Sequence, residues 1–199
     1  MLPSPPRFRR FSVLIGLLLL TLGACGVDTE HQYVQSDDGR LSFRLPHEFT
    51  DVQAQPTGLE WIAALDADPD PSIGNLSVLT LEHPFVLAQL IDFEPERRDT
   101  ISLRDLRTFA VPDRRDPLGD HDDLRVLAYE PFVDERGFEG HYMELEVDSD
   151  EGTFTEAQLI ALDPTRSALH RVRVACSVSC WEGNAELARE ILDSVQVRP

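Results

Sequence analysis

Four runs in the second half of the chain, 124–129, 138–147, 153–162 and 169–176, are strand-like, and the second and the last alternate apolar and polar side chains with a period of two. Nothing else in the sequence restricts the fold as tightly. A period of two sends successive side chains to opposite faces of a pleated strand, and the runs are joined by Asp- and Gly-bearing turns, so the spacing predicts an antiparallel meander. In the second run Met143, Leu145 and Val147 share one face and Glu144, Glu146 and Asp148 the other; in the last, Val172 and Val174 oppose Arg171 and Arg173. One face is therefore core, and the other is wet or covered by a helix.

The elements around the meander follow from simpler signals. Leu187, Ala188, Ile191 and Leu192 recur at helical spacing, and Asn184 is read as the cap of a helix over 185–193, with a short strand at 195–197 closing the chain. At the other end, Tyr33 and Val34 open an extended run that Asp37-Asp38-Gly39 turns back, and Leu41, Phe43 and Leu45 alternate with Ser42 and Arg44 until Pro46. That pattern is a β-hairpin. Strands are expected over 59–65 and 76–81, on either side of an Asp/Pro/Gly-rich loop at 66–74. Residues 85–93, FVLAQLIDF, suit a buried strand or a short helix, and we read strand. Ser102 with Asp105 three residues on marks a helix over 103–109 that Pro112 ends.

This order of elements resembles the PsbP-like fold, whose bacterial members include DcrB-like proteins and actinobacterial lipoproteins of the LpqN type. The residues that carry the resemblance are Ser36-Asp37-Asp38-Gly39-Arg40-Leu41-Ser42-Phe43-Arg44-Leu45-Pro46 and Ile191-Leu192-Asp193-Ser194-Val195-Gln196-Val197. The resemblance spans most of residues 32–198 and implies an α+β class, an α/β sandwich in which helices cover an antiparallel sheet. It also implies a binding or assembly role, and it brings no catalytic motif to transfer. Residues 84–99 have no evident place in that pattern.

The N-terminus carries an address. Arg7, Arg9 and Arg10 precede an apolar run from Phe11 to Leu22, which Leu22-Gly23-Ala24-Cys25 closes. A bilayer-spanning helix needs about 20 apolar residues, so this shorter run reads as a signal peptide. The closing tetrapeptide resembles the lipobox of bacterial lipoproteins, and the resemblance implies that Cys25 takes a diacylglycerol on its thiol and becomes the first mature residue. The alternative is an ordinary secretory signal cleaved near Ala24. The expected organisation is a signal over 1–24, a tether over 25–31 and a single domain over 32–199, lipid-anchored on the extracytoplasmic face of the cell membrane. With Cys25 lipidated, Cys176 and Cys180 remain as a pair in a compartment that permits disulfides. Zinc is the alternative, with His170 as the plausible local third ligand, although a structural zinc site needs four.

Charge and motif content narrow the function. The formal charge is −18, and removing 1–24 takes away three arginines and no acid, leaving −21. Such a chain lacks the basic patch that nucleic acid requires, and its net charge argues against lying flat on anionic lipid. The expected partners are the membrane, through the lipid on Cys25, and an envelope protein. No G-x-S-x-G elbow, P-loop or H-E-x-x-H helix occurs. Asp66-x-Asp68-x-Asp70 begins like a calcium loop but has Pro71 where glycine belongs and Ser77 where a bidentate glutamate belongs. Asp113, Asp116, Asp120, Asp122 and Asp123 with His121 could hold a cation from a loop, a weaker reading than a solvated acidic stretch. His141, in phase with Met143, is read as a structural histidine, and Trp61, Phe132, Phe138, Tyr142 and Phe154 as sheet core. We expect no catalytic residue, metal site or cofactor: the chain reads as a non-enzymatic binding or scaffold module for an envelope protein or small ligand. The alternative is a carboxylate-dependent envelope hydrolase using Glu144 and Glu146, which would need a cleft to bring them together.

Replacing the lipid-bearing thiol tests the address directly. Cys25→Ala is expected to release a folded mature domain from membranes, since the lipid is the hydrophobic anchor. Detergent-phase partitioning of the processed variant checks it, and continued partitioning with membranes would count against a lipoprotein.

Overall fold

The computed structural model describes residues 30–36, 38–51, 60–65, 82–111, 115–150 and 152–198, with backbone alone at 50, 51 and 60–65. The expected signal segment, Cys25, the loop at 66–74 and the strand at 76–81 lie outside the described residues, as does the side chain of Trp61. His31–Pro199 forms one compact unit.

The strands are β1 (His31–Gln35), β2 (Leu41–Pro46), β3 (Phe49–Asp51), β4 (Glu60–Leu65), β5 (Phe85–Asp92), β6 (Leu124–Val133), β7 (Glu139–Ser149), β8 (Gly152–Leu162), β9 (Ala168–Ser177) and β10 (Gln196–Val197). The helices, labelled here in order, are α1 (Pro95–Arg98), α2 (Leu103–Thr108) and α3 (Val178–Asp193). The strands make two antiparallel sheets: a seven-stranded one in the order β3-β4-β5-β9-β8-β7-β6, and a three-stranded one in the order β1-β2-β10. The meander is β6 to β9. Residues 85–92, read as a strand but without a place in the PsbP-like pattern, form the strand that joins it to β4, with Val86 opposite Val174 and Ala88 opposite Val172.

Both faces of the large sheet are covered, which is why its strands carry apolar residues at both phases. On one face Val86, Ala88, Leu159, Val172 and Val174 pack beneath Trp181, Ala188, Ile191 and Leu192 of α3 and beneath Leu41, Phe43 and Leu45 of β2. On the other, Met143, Leu145, Val147, Ile160 and Leu169 pack against Phe93, Ile101, Leu106, Ala110 and Val111 from the α1–α2 segment. The valines of β9 and the Met143 phase of β7 thus belong to opposite cores. Helix α2 starts where the sequence placed it: Ser102 Oγ accepts from the Asp105 amide, and the Asp105 carboxylate accepts from the Ser102 amide at 2.7 Å.

Three boundaries differ from expectation. Helix α3 begins at Val178, seven residues ahead of the predicted 185, with Ser177 as its cap: Ser177 Oγ accepts from the Cys180 amide at 3.3 Å. Asn184 lies inside this helix and donates Nδ2 to the Cys180 carbonyl at 2.8 Å. The buried Trp181 explains the extension, because it adds an apolar turn to the stripe of Ala188, Ile191 and Leu192. Strand β6 continues beyond 129 to Val133, through Pro131, which an edge strand tolerates because its outward side needs no ladder hydrogen bond. The short β3 has no counterpart among the expected strands, since its three residues carry too little pattern to register.

Cys176 and Cys180 are joined by a disulfide with their Cα atoms 5.9 Å apart. It links the buried end of β9 to the first turn of α3. Closing so short a loop restricts the unfolded chain only modestly, so Cys180→Ser is expected to cost about 2–3 kcal/mol and to fray the start of α3 before the meander. Intact mass after alkylation, with and without reductant, checks the bond; two alkylatable thiols in unreduced exported protein would rule it out.

Candidate functional site

The carboxylates of the hydrolase alternative are engaged separately. Glu144 Oε1 accepts from Trp181 Nε1 at 3.0 Å, which ties β7 to α3, while Glu146 accepts from Arg125 Nη2 of β6 at 3.0 Å. The acidic stretch behaves likewise. Arg107 Nη2 donates to Asp116 at 3.3 Å, Arg115 Nη1 donates to Asp123 at 2.7 Å, and His121 Nε2 donates to the Asp116 carbonyl at 2.8 Å. Asp113 lies outside the described residues, and among the described residues no three metal-ligating groups converge.

His141 is satisfied on both sides: Nδ1 lies 2.8 Å from the Tyr129 hydroxyl and Nε2 2.9 Å from the Leu103 carbonyl, with burial holding its pKa below the ordinary histidine value. It pins α2 to the sheet. His170 differs. It is 2% exposed, edge-on to the Phe138 ring at 5.6 Å, and neither ring nitrogen has a hydrogen-bond partner among the described residues. It sits six positions before Cys176 on β9, about 20 Å at roughly 3.3 Å per residue, and the cysteine sulfurs are bonded to each other. The zinc alternative is therefore set aside.

A buried polar network occupies the α2 side of the sheet, at positions that sequence left on a wet or helix-covered face. Gln158 Nε2 donates to the Ala110 carbonyl at 2.7 Å and to Glu156 Oε1 at 2.9 Å; Arg171 donates to Gln158 Oε1 at 2.9 Å and to the Ala110 carbonyl at 3.0 Å. Arg173 Nη1 lies 3.2 Å from Glu156 Oε2. Desolvation, with Arg173 beside it, brings the Arg171 pKa down to about 10, so the guanidinium stays charged at neutral pH. The network clamps the chain at Ala110 onto the sheet. Its trace in the sequence is the matching two-residue spacing of Glu156-x-Gln158 and Arg171-x-Arg173 on neighbouring strands, legible only once their register is known.

The open concave surface lies elsewhere, on the outer face of the three-stranded sheet. Leu41, Phe43 and Leu45 of β2 point into the core, so Ser42 and Arg44 point out. Pairing sets Tyr33 opposite Arg44, and Gln35 and Gln196 on either side of Ser42. Arg198 extends the face beyond β10, its amide donating to the Arg40 carbonyl at 2.7 Å. The resulting groove has a volume of about 560 Å³ and is lined among others by Tyr33, Arg44, Ser194, Gln196 and Arg198. An adjoining hollow of about 310 Å³ includes Arg44, Glu190 and Asp193. Tyr33 is 71% exposed, and Asp193 is held by Arg189 at 3.2 Å. Sequence reading missed this surface; its one signal was the polar phase of the hairpin.

No model of a known protein family matches the chain, and no curated protein matches its sequence. Solved structures do match. Cyanobacterial PsbP (CyanoP) from Synechocystis sp. PCC 6803 superposes with a TM-score of 0.55 at 12% identity, over 89% of this chain and 99% of that one. The Ran-binding protein Mog1p of Saccharomyces cerevisiae does so with a TM-score of 0.52 at 11% identity, over 84% and 95% of the two chains. LpqN of Mycobacterium tuberculosis, involved in cell envelope biogenesis, gives 0.48 at 10% identity over 85% and 91%, too distant a superposition to carry an argument. The chain is an α+β protein of two antiparallel sheets with few helices. It has the PsbP-like fold.

The partnerless His170 makes stability depend on pH. Burial first, then the Arg40 charge, lowers its pKa from 6.5 to about 4. The unfolded chain therefore takes up a proton near pH 6.5 while the folded one does not until about pH 4. Stability is complete above the unfolded value and falls across that window, by up to about 3 kcal/mol. Urea unfolding at pH 7 and pH 4.5 is expected to show this loss in the wild-type chain and a smaller one in His170→Leu; equal losses would refute it.

Proposed function

We propose that the chain is a lipid-anchored extracytoplasmic lipoprotein, held at the cell membrane through Cys25, that works as a non-enzymatic binding or scaffold module for an envelope protein or small ligand. The observation that carries the binding role is the groove on the three-stranded sheet. Its guanidinium groups, phenol, hydroxyls and amides can hold a polar or anionic group, and the one carboxylate that lines it, Asp193, is engaged by Arg189. Glu144 and Glu146, which an acid–base mechanism would need, serve as acceptors for Trp181 and Arg125 instead. One structure that shares the fold, Mog1p, is named for the protein it binds. The signal and Cys25 motif over 7–25 supplies the anchor and the compartment.

A photo-cross-linking side chain at position 33 of the full-length protein, activated in its native membrane, tests this reading. A discrete adduct is expected, and the double variant Arg44→Glu, Arg198→Glu is expected to lose it. Hydrolysis of envelope esters or glycosides by the purified chain, abolished by Glu144→Gln, would replace the binding module with an enzyme.

A further inference from the structure

We propose that the outer face of the three-stranded sheet is the surface that the domain lays on the membrane, with Arg44 and Arg198 each holding a phospholipid headgroup phosphate and Tyr33 set among the headgroups. This names the ligand of the groove and rests on the lipoprotein reading above.

The arginines single out the surface. Among the described residues, Arg44 and Arg198 have no carboxylate, carbonyl or ring partner. The others are engaged: Arg40, Arg104, Arg107, Arg115, Arg125, Arg136, Arg173 and Arg189 by carboxylates, Arg98, Arg166 and Arg171 by carbonyls, and Arg97 by the Phe93 and Phe109 rings. Both unpartnered guanidinium groups line one groove, and the most exposed large hydrophobic side chain of this face, Tyr33, lies directly across the ladder from Arg44. Arginine and tyrosine together are the side chains that favour the headgroup layer: the guanidinium meets phosphate, and the phenol keeps its ring in the interface and its hydroxyl in water.

Spacing gives room for more than one headgroup. Arg198 is hydrogen-bonded at Arg40, four positions along the chain from Arg44, so the two backbone positions lie about 13 Å apart at roughly 3.3 Å per residue. Side chains set that far apart can each hold a separate headgroup phosphate of a bilayer. The tether points the same way. Five residues, Gly26 to Glu30, separate Cys25 from His31 at the start of β1, six steps that reach at most about 20 Å. The strand that leaves the anchor is thus itself part of this face.

The negative net charge does not oppose the contact as it would for a uniformly charged body. At physiological ionic strength charges are screened over about 8 Å, so carboxylates on the α2 side of the domain contribute little here. The nearer ones are engaged: Asp38 and Asp92 by Arg40, and Asp193 by Arg189. Glu190, exposed, shares the adjoining hollow with Arg44.

Arginine-specific modification by phenylglyoxal, mapped by mass spectrometry on the full lipidated chain, tests the contact. In vesicles of phosphatidylglycerol and phosphatidylcholine, Arg44 and Arg198 are expected to react roughly fivefold more slowly than in a phosphate-free detergent, the worth of one basic side chain at an anionic surface. Arg104, 80% exposed on α2, is the unshielded control and is expected not to change. Lipidated, vesicle-bound protein whose Arg44 and Arg198 react as in detergent overturns this inference and leaves the lipoprotein reading standing. A mature chain without a diacylglyceryl mass on Cys25 overturns both. Equal protection by inorganic phosphate in detergent would make the groove a soluble-anion site, and a protein adduct from position 33 would make it a protein interface; either result replaces the lipid.

Discussion

The pairing of β5 with β9 is the constraint on which the rest of the molecule depends. Without it β6–β9 would be a four-stranded meander with an open edge at β9, and β3 and β4 would have nothing to attach to. The contact joins segments some eighty residues apart, and its register sets Val86 against Val174 and Ala88 against Val172. That places an unbroken apolar floor under α3. It also leaves Arg171 and Arg173 on the opposite face, where Gln89, opposite Arg171, accepts a hydrogen bond from it. A closing loop of this length costs little more entropy than a shorter one, while the ladder and two buried faces repay every residue ordered.

The two faces solve different problems. The α3 face is apolar almost throughout and is completed by the hairpin, whose inward residues reach the same core. The α2 face has an apolar half around Met143 and Leu145 and a charged half around Glu156 and Arg173. Burying those charges is tolerable because Gln158 and Arg171 are hydrogen-bonded and Glu156 faces the Arg173 guanidinium at 3.2 Å, although Glu156 Oε2 and Arg173 Nε make no hydrogen bond among the described residues, and the chain at Ala110 is held as a consequence. At the free edge, β6 carries a register shift between Val126 and Ala128, Pro131, and the charged Arg125 and Glu130. Each of these discourages another strand from adding there.

Against that sheet, and among the described residues, the outer face of β1-β2-β10 is where cationic side chains are left without internal partners. Elsewhere among those residues arginine serves as the internal cross-link, to carboxylates, carbonyls and rings. The absence of lysine from the chain makes this contrast sharper, because every cation available is a planar multi-donor group suited to phosphate as well as to carboxylate.

By itself the sequence determined the features that depend on neighbours along the chain. The period of two marked β7, β9 and the hairpin, Ser102 and Asp105 marked the start of α2, and the Asp-Asp-Gly turn and the helix leading into the last strand carried the resemblance to the PsbP-like fold. Only the tertiary structure decided what lies on each face. Alternation states that Arg171 and Arg173 oppose Val172 and Val174, but not that a loop buries them. Spacing around Asn184 suggested a cap, and the buried Trp181 with the Ser177 hydroxyl moved it seven residues back. His170 could be counted as a ligand until the fold set it beside Phe138 and away from the cysteines. Arg44 and Arg198 became a pair only when β10 docked on β2, because that contact is made between the two ends of the domain, and no local pattern can record which distant strand arrives.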